Sequence, residues 1–162
     1  MAANSAGGET AFSWLRLFAD REGRATAARG GVTIIMTAEA ALTTGDVCFA
    51  SATPNQVNKS ATSANYASFV GVVVGGTLTN MRPMYDTGIA AAGAGQQVLV
   101  QISGVALMKA EGTITIGTHR SVISTASTAG KVIAGTTQGL MLGTPLTDAS
   151  SGTDVVVLID HR

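Results

Sequence analysis

From Val32 onward the chain is cut into short segments rich in β-branched residues, each bounded by glycine or another turn former. That rhythm limits what the chain can fold into more than any other feature. The segments are residues 32–36, 47–50, 69–74, 98–105, 114–116, 121–123, 131–133, 140–142 and 155–159. They recur roughly every 8 to 15 residues, the spacing of sandwiches and barrels. Turn-rich pieces such as Thr44-Gly45-Asp46, Pro54-Asn55, Gly75-Gly76, Ala129-Gly130 and Ser151-Gly152 separate them. No long helical period intervenes, which disfavours a parallel doubly wound sheet. The expected fold is all-β: a compact antiparallel β-sandwich or barrel spanning residues 32–162.

Residues 1–31 differ. They hold the only Trp, two of the four Phe and Arg16, Arg21, Arg24 and Arg29. Phe12, Trp14, Leu15, Leu17 and Phe18 are spaced to share one side of a short helix, with Thr10 or Ser13 as its cap. Glu22-Gly23 ends it and Gly30-Gly31 forms a hinge. Residues 1–31 are therefore read as an N-terminal arm, and these five apolar residues as candidates for contact with another subunit or a partner protein. Large aromatics anchor interfaces because each removes much surface from water; the competing reading is a helix that folds back as a lid on its own domain.

The β region contains an internal echo. Leu42-Thr43-Thr44-Gly45-Asp46-Val47 parallels Ile114-Thr115-Ile116-Gly117-Thr118-His119, and Val70-Gly71-Val72-Val73-Val74-Gly75 parallels Gln138-Gly139-Leu140-Met141-Leu142-Gly143. The run from Ala92 to Ile102 parallels the run from Ala149 to Ile159. Each half describes a turn into a strand, a strand flanked by glycines, and a small-residue turn feeding a strand. One β unit occurring twice and packing on its own copy accounts for this, since neither half carries enough apolar surface to fold alone.

Composition excludes several functions. The formal net charge is +0 and only 12% of residues are charged, so there is no basic stripe to displace nucleic-acid counterions. Low charge also lowers the cost of burying one copy against another. Cys48 is the single cysteine, which rules out an intrachain disulfide and a cysteine-based zinc cluster. Met1 to Thr10 is small and polar, Arg16 interrupts the following apolar stretch, and no run approaches the ~20 apolar residues of a membrane span. The protein is expected to be made in a cytoplasm and to have no membrane partner.

Catalytic groups are sparse. His119 and His161 are the only neutral-pH bases, and neither accompanies a nucleophile motif of the Gly-x-Ser-x-Gly kind. Asp160-His161-Arg162 reads as a solvated terminus and His119-Arg120 as a strand edge or turn. Two separated histidines supply too few metal donors. Gly93-Ala94-Gly95 lacks the third glycine of a dinucleotide loop, with Val98 in its place, and precedes a strand instead of a helix. Asn58-Lys59-Ser60 fits a glycosylation pattern that has no meaning without a secretory signal. Cys48 reads as a small buried apolar residue. No catalytic, cofactor-binding or metal-binding residue is nominated, and no enzymatic activity or cofactor is expected.

Several phrases together resemble one known family. They are Ala41-Leu42-Thr43-Thr44-Gly45-Asp46-Val47, Phe69-Val70-Gly71-Val72, the Ala91 to Val105 run, Gln138 to Gly143, and Asp154 to Ile159. In order and spacing they are similar to the capsid decoration, or cement, proteins of tailed bacteriophages, over about residues 32–162. The resemblance implies a compact, β-tulip-like domain on the outside of an assembled head. It also implies a homotrimer, or alternatively a dimer, with the major capsid protein as partner and an N-terminal arm contributing to capsid contact. The arm of this chain is longer than the simplest members would lead one to expect. A second reading of the same scaffold is a binding module such as a head fibre, an adhesin or a carbohydrate-recognition domain.

Overall fold

The computed structural model describes residues 31–59, 68–84, 86–119, 121–124, 128–135 and 141–159. Phe12, Trp14, Leu15, Leu17, Phe18 and the expected arm helix lie outside the described residues, as do Gln138 to Leu140 and His161. Among the described residues twelve strands follow one another: β1 Thr33–Ala38, β2 Leu42–Thr43, β3 Val47–Ala50, β4 Gln56–Asn58, β5 Phe69–Gly76, β6 Ala90–Ala92, β7 Gln97–Gln101, β8 Gly104–Lys109, β9 Ser121–Ser124, β10 Val132–Gly135, β11 Gly143–Pro145 and β12 Asp154–Ile159. A 3₁₀ turn covers Thr77–Thr79, and no α-helix occurs among the described residues. The fold is mainly β, as the sequence implies.

The strands form two five-stranded units and a small β2-β6 pair. The first unit is a closed barrel in the order β1-β4-β3-β5-β7; the second is an open sheet in the order β10-β9-β11-β12-β8. Pairing is antiparallel except at the barrel seam, where β1 runs parallel to β4 through Thr37↔Gln56 and Ala38↔Val57, and at the isolated parallel bridge Ala110↔Val132. A purely antiparallel architecture was expected; the parallel seam closes the cylinder and makes the barrel mixed.

Register establishes the internal repeat. In the barrel, β1 pairs β7 from Thr33↔Gln101 to Thr37↔Gln97; in the sheet, β8 pairs β12 from Val105↔Leu158 to Lys109↔Asp154. The turn that follows each pair is built from the same bonds. Ala38 N–H donates to Gln96 O at 2.9 Å and Gly95 N–H to Ala38 O at 2.8 Å; Ala110 N–H donates to Thr153 O at 2.9 Å and Gly152 N–H to Ala110 O at 2.8 Å. The β2-β6 contact Leu42↔Ala92 has its counterpart in the isolated bridge Ile114↔Ala149, and the parallel seam in the single bridge Ala110↔Val132.

Two parts of the echo need a different alignment. Sequence similarity matches Val47 with His119, but the pairs Cys48↔Gly71 and Val122↔Gly143 make Ser121 its structural equivalent. Sequence similarity matches Gly71 with Gly139, but the structure matches Gly71 with Gly143. A Cβ on Gly71 would lie 2.1 Å from Gln101 O, and one on Gly143 would lie 2.4 Å from Leu158 O, and Gln101 and Leu158 are equivalent in the register. Both glycines let one strand approach its neighbour's backbone.

Other departures have local causes. Residues 98–105 form two strands instead of one, because Gly104 takes φ 83° and the chain turns from the barrel to the sheet. The strand expected at 140–142 begins at Gly143 and includes Pro145. Leu146 N–H donates to Val156 O at 2.7 Å, so alternation turns the Pro145 nitrogen away from β12 and its missing donor breaks no bond to that strand. In 114–116 only Ile114 bridges a partner, and Ile116 is exposed in a turn.

Alternation along the strands divides the core. Ala38, Leu42, Cys48, Val57, Val73, Ala91, Ala92, Val98 and Val100 fill the barrel. Val47, Phe49 and Val72 face out of the same β3 and β5 and join Ala106, Met108, Val122, Val132, Val155 and Val157 of the sheet in a second cluster. Phe69 packs on it, edge-to-face with Phe49 at 5.9 Å and 60°. The outer wall of the barrel therefore supplies part of the second unit's core.

Candidate interaction surface

The candidate chemical groups that lie among the described residues make structural contacts. His119 Nδ1 accepts the Thr115 N–H at 3.0 Å and so staples a turn. Cys48 is fully buried inside the barrel, its thiol donating to Gly71 O at 3.3 Å; burial pushes the thiol's pKa upward, away from thiolate reactivity. Gly93-Ala94-Gly95 forms the turn between β6 and β7, where Gly95 takes φ 75° and Gln96 Oε1 accepts the Gly93 N–H at 2.8 Å. A strand follows it, as the sequence suggested. Among the described residues no group of three or more His, Cys, Asp or Glu is placed to hold a metal ion.

Asp46 stands where the two units meet. Its Oδ2 accepts the Thr43 N–H at 2.9 Å and lies 3.5 Å from Lys59 Nζ, while the neighbouring Val47 N–H donates to Gly130 O at 2.9 Å in the turn before β10. Desolvation by burial raises the Asp46 pKa, opposed by the Thr43 bond and by the Lys59 charge. A Cβ at Gly130 would fall 2.4 Å from Asp46 Oδ1, and Gly130 has φ 84°, so glycine alone fits there. Asp46 is thus a joint between units, a role that the Gly45-Asp46 turn does not announce.

A second tie crosses from the barrel to the sheet. The connection over residues 77–89 has a much shorter equivalent, residues 146–148, in the second unit. It is pinned to the barrel by Thr44, whose hydroxyl donates to Asp86 O at 2.6 Å and accepts the Ile89 N–H at 3.0 Å. It reaches the sheet through Thr87, whose hydroxyl donates to Asp154 Oδ1 on β12.

The described surface also carries apolar side chains. Val32, Ile35, Leu78, Ile116, Leu146 and Leu158 are exposed large hydrophobic side chains. The repeat makes Ile35 comparable with Leu107, yet Ile35 is 59% exposed and Leu107 3%. Leu107 is buried in a small cluster with Val156 and Val105 on the outer face of β8 and β12. The signal for this surface was present in the sequence: Ile34-Ile35-Met36 breaks strict alternation, so one of the three must face outward.

No family model matches the chain, and no curated protein matches it. Among solved structures it is similar to the N-terminal base of the head fibre protein gp8.5 of bacteriophage phi29. The TM-score is 0.48 at 11% identity, covering 80% of this chain and 93% of that one. A likeness of that degree assigns neither a family nor a function to this chain.

Proposed function

We propose that this chain is a non-catalytic structural protein of a tailed-phage virion. It is made in the host cytoplasm and binds as a homotrimer to the outer surface of the assembled head, where it stabilises contacts between major capsid proteins. One observation carries the reading: where they fall on described residues, the phrases that resemble the decoration family belong to the framework. The Ala91 to Val105 run makes β6, the glycine turn, β7 and the crossing into β8, and β7 is the strand that closes the barrel against both β1 and β5. Low charge and scattered exposed apolar side chains suit many modest contacts repeated over a symmetric shell, where avidity multiplies a weak single contact.

Sugar binding is the weaker reading of the same scaffold. Phe49 is fully buried and offers no face for stacking on a glycan, and Phe69 is partly buried with its ring edge-to-face against Phe49. The decoration reading is tested by mixing purified protein with undecorated, expanded heads. Saturable binding that raises the disruption temperature of the heads is expected; heads that stay bare refute it.

A further inference from the structure

We infer that the turn over residues 115–119 is a proton-operated latch, closed while the His119 imidazole is neutral and released when it is protonated. His119 closes the turn in both directions. Its Nδ1 accepts the Thr115 N–H at 3.0 Å, and its own N–H donates to Thr115 O at 2.9 Å. The first bond needs a free lone pair on Nδ1, so the neutral ring carries its proton on Nε2. Uptake of one proton from solvent fills that lone pair and leaves an imidazolium, both of whose nitrogens are donors. Two donors then face each other and the bond is lost. Imidazole ordinarily titrates between acid and neutral pH, which makes this turn sensitive over that range. Gly117 at φ 87° and a bond from the Thr118 N–H to Thr115 O at 3.2 Å complete the turn, which presents the exposed Ile116 side chain.

The first unit closes the matching turn with a different ionisable side chain. Leu42↔Ala92 and Ile114↔Ala149 are equivalent contacts, so Thr43 corresponds to Thr115. Asp46 Oδ2 accepts the Thr43 N–H at 2.9 Å and the Asp46 N–H donates to Thr43 O at 3.2 Å, around Gly45 at φ 84°. A carboxyl group keeps an acceptor oxygen whether or not it is ionised, so acid leaves the first turn closed. An imidazolium keeps none, so acid opens the second. The next N–H differs as well. Thr44 N–H donates to the backbone Ile89 O at 2.8 Å, whereas Ile116 N–H donates to Asp148 Oδ1 at 2.7 Å. Asp148 is the one charged residue of the facing segment 146–149, and β9 has none. Glu111, on the approach to Ile114, accepts the Thr128 hydroxyl. Arg120, next in the chain, stays charged throughout and adds no titration.

The test follows amide exchange by NMR in the full chain from pH 8 to pH 5, each rate divided by that of an unstructured peptide of the same sequence. Protection at Thr115 is expected to fall about tenfold, in step with protonation of the imidazole read from the His119 ring-proton shifts. Ile114, buried and bridged to Ala149, and Thr43 in the first unit are expected to keep their protection, which marks the release as local. His119→Asn puts an amide oxygen in place of Nδ1 and cannot titrate, so Thr115 protection is expected to stay level. Asp148→Asn keeps an acceptor for the Ile116 N–H and is expected to retain the parent's fall. Thr115 protection that stays level in the parent while the ring titrates overturns the inference. So does a fall that survives in His119→Asn, or one that vanishes in Asp148→Asn while the ring still titrates, since either assigns the effect to another group. None of these readouts involves heads, so failure here is distinct from failure of head binding.

Discussion

The two halves of the molecule are built on one strand order, but only the first closes. In the barrel, the seam between β1 and β4 is held by two residue pairs; in the sheet, the corresponding seam between β8 and β10 is held by the single bridge Ala110↔Val132. The difference lies in what faces outward on equivalent strands. Val47, Phe49 and Val72 on the barrel wall are apolar and enter the sheet's core. Their equivalents Ser121, Ile123 and Thr144 are largely polar, and Ser121 instead donates its hydroxyl to Gly135 O at 3.1 Å. A unit with an apolar outer wall can complete its neighbour, and a unit with a polar one ends the series. The chain therefore makes one head-to-tail contact between its halves and stops, which avoids the open-ended association that a repeated contact invites.

The sharpest way to break this comparison is at Phe49. Phe49→Ala is expected to cost about 4 kcal/mol in denaturant unfolding, because it opens a cavity in the core that both halves share. Ile123→Ala, at the equivalent but half-buried position, is expected to cost about 1 kcal/mol. Similar losses at both sites would show that the outer walls do not differ in the way described. A single cooperative transition in the native protein is the companion expectation, since the barrel's Val47, Phe49 and Val72 are part of the other unit's core.

Next in size are the matched glycines. Gly71→Ala and Gly143→Ala each place a methyl against a neighbouring backbone carbonyl. The expected loss is about 3 kcal/mol in the closed barrel and nearer 1.5 kcal/mol in the sheet, where β11 and β12 are not locked into a closed cylinder. Equal penalties measured by chemical denaturation would mean that closure confers no extra rigidity.

Cys48 gives a smaller effect and a kinetic readout. Its thiol is fully buried and its pKa is pushed up by burial, so alkylation under native conditions is expected to proceed only as fast as the barrel opens. Cys48→Ala should cost about 1 kcal/mol. Rapid labelling of folded protein would show that the barrel seam breathes independently of the sheet.

The smallest effect is at the joint. Asp46 has a folded pKa above 3.8, so as pH falls from neutral the folded state takes up this proton before the unfolded chain does. Its contribution to stability is least favourable at neutral pH, improves as pH drops through the folded value, and levels off below 3.8. Asp46→Asn keeps an acceptor for Thr43 and removes the desolvated charge. It is expected to be more stable than the parent by less than about 1 kcal/mol at pH 7, with the gap narrowing on acidification. A gap that widens as pH falls would show Asp46 to be a net stabilising ion.

Much of this was legible in residue order. The strand at 47–50 matches β3 residue for residue, and 69–74 and 155–159 fall within β5 and β12, because β-branched runs between turn formers leave few other conformations. The turn equivalence of Gly95 with Gly152 was visible for the same reason, both taking the positive φ that glycine permits. Short polar strands were not legible: β4, with the sequence Gln56-Val57-Asn58, carries too weak a pattern to be found locally and exists because β1 and β3 flank it. Nor was the closure at His119, since the residue order of a turn does not say which backbone N–H the imidazole meets.

Sequence alone determined that this chain is a repeated β unit with little charge, because side-chain period and turn chemistry act over a few residues and need no partner to operate. Tertiary structure decided which copy closes, which glycines are equivalent, and that β3 and β5 serve two cores at once. Those outcomes depend on how surfaces far apart in the chain share apolar area, a quantity that no local pattern contains.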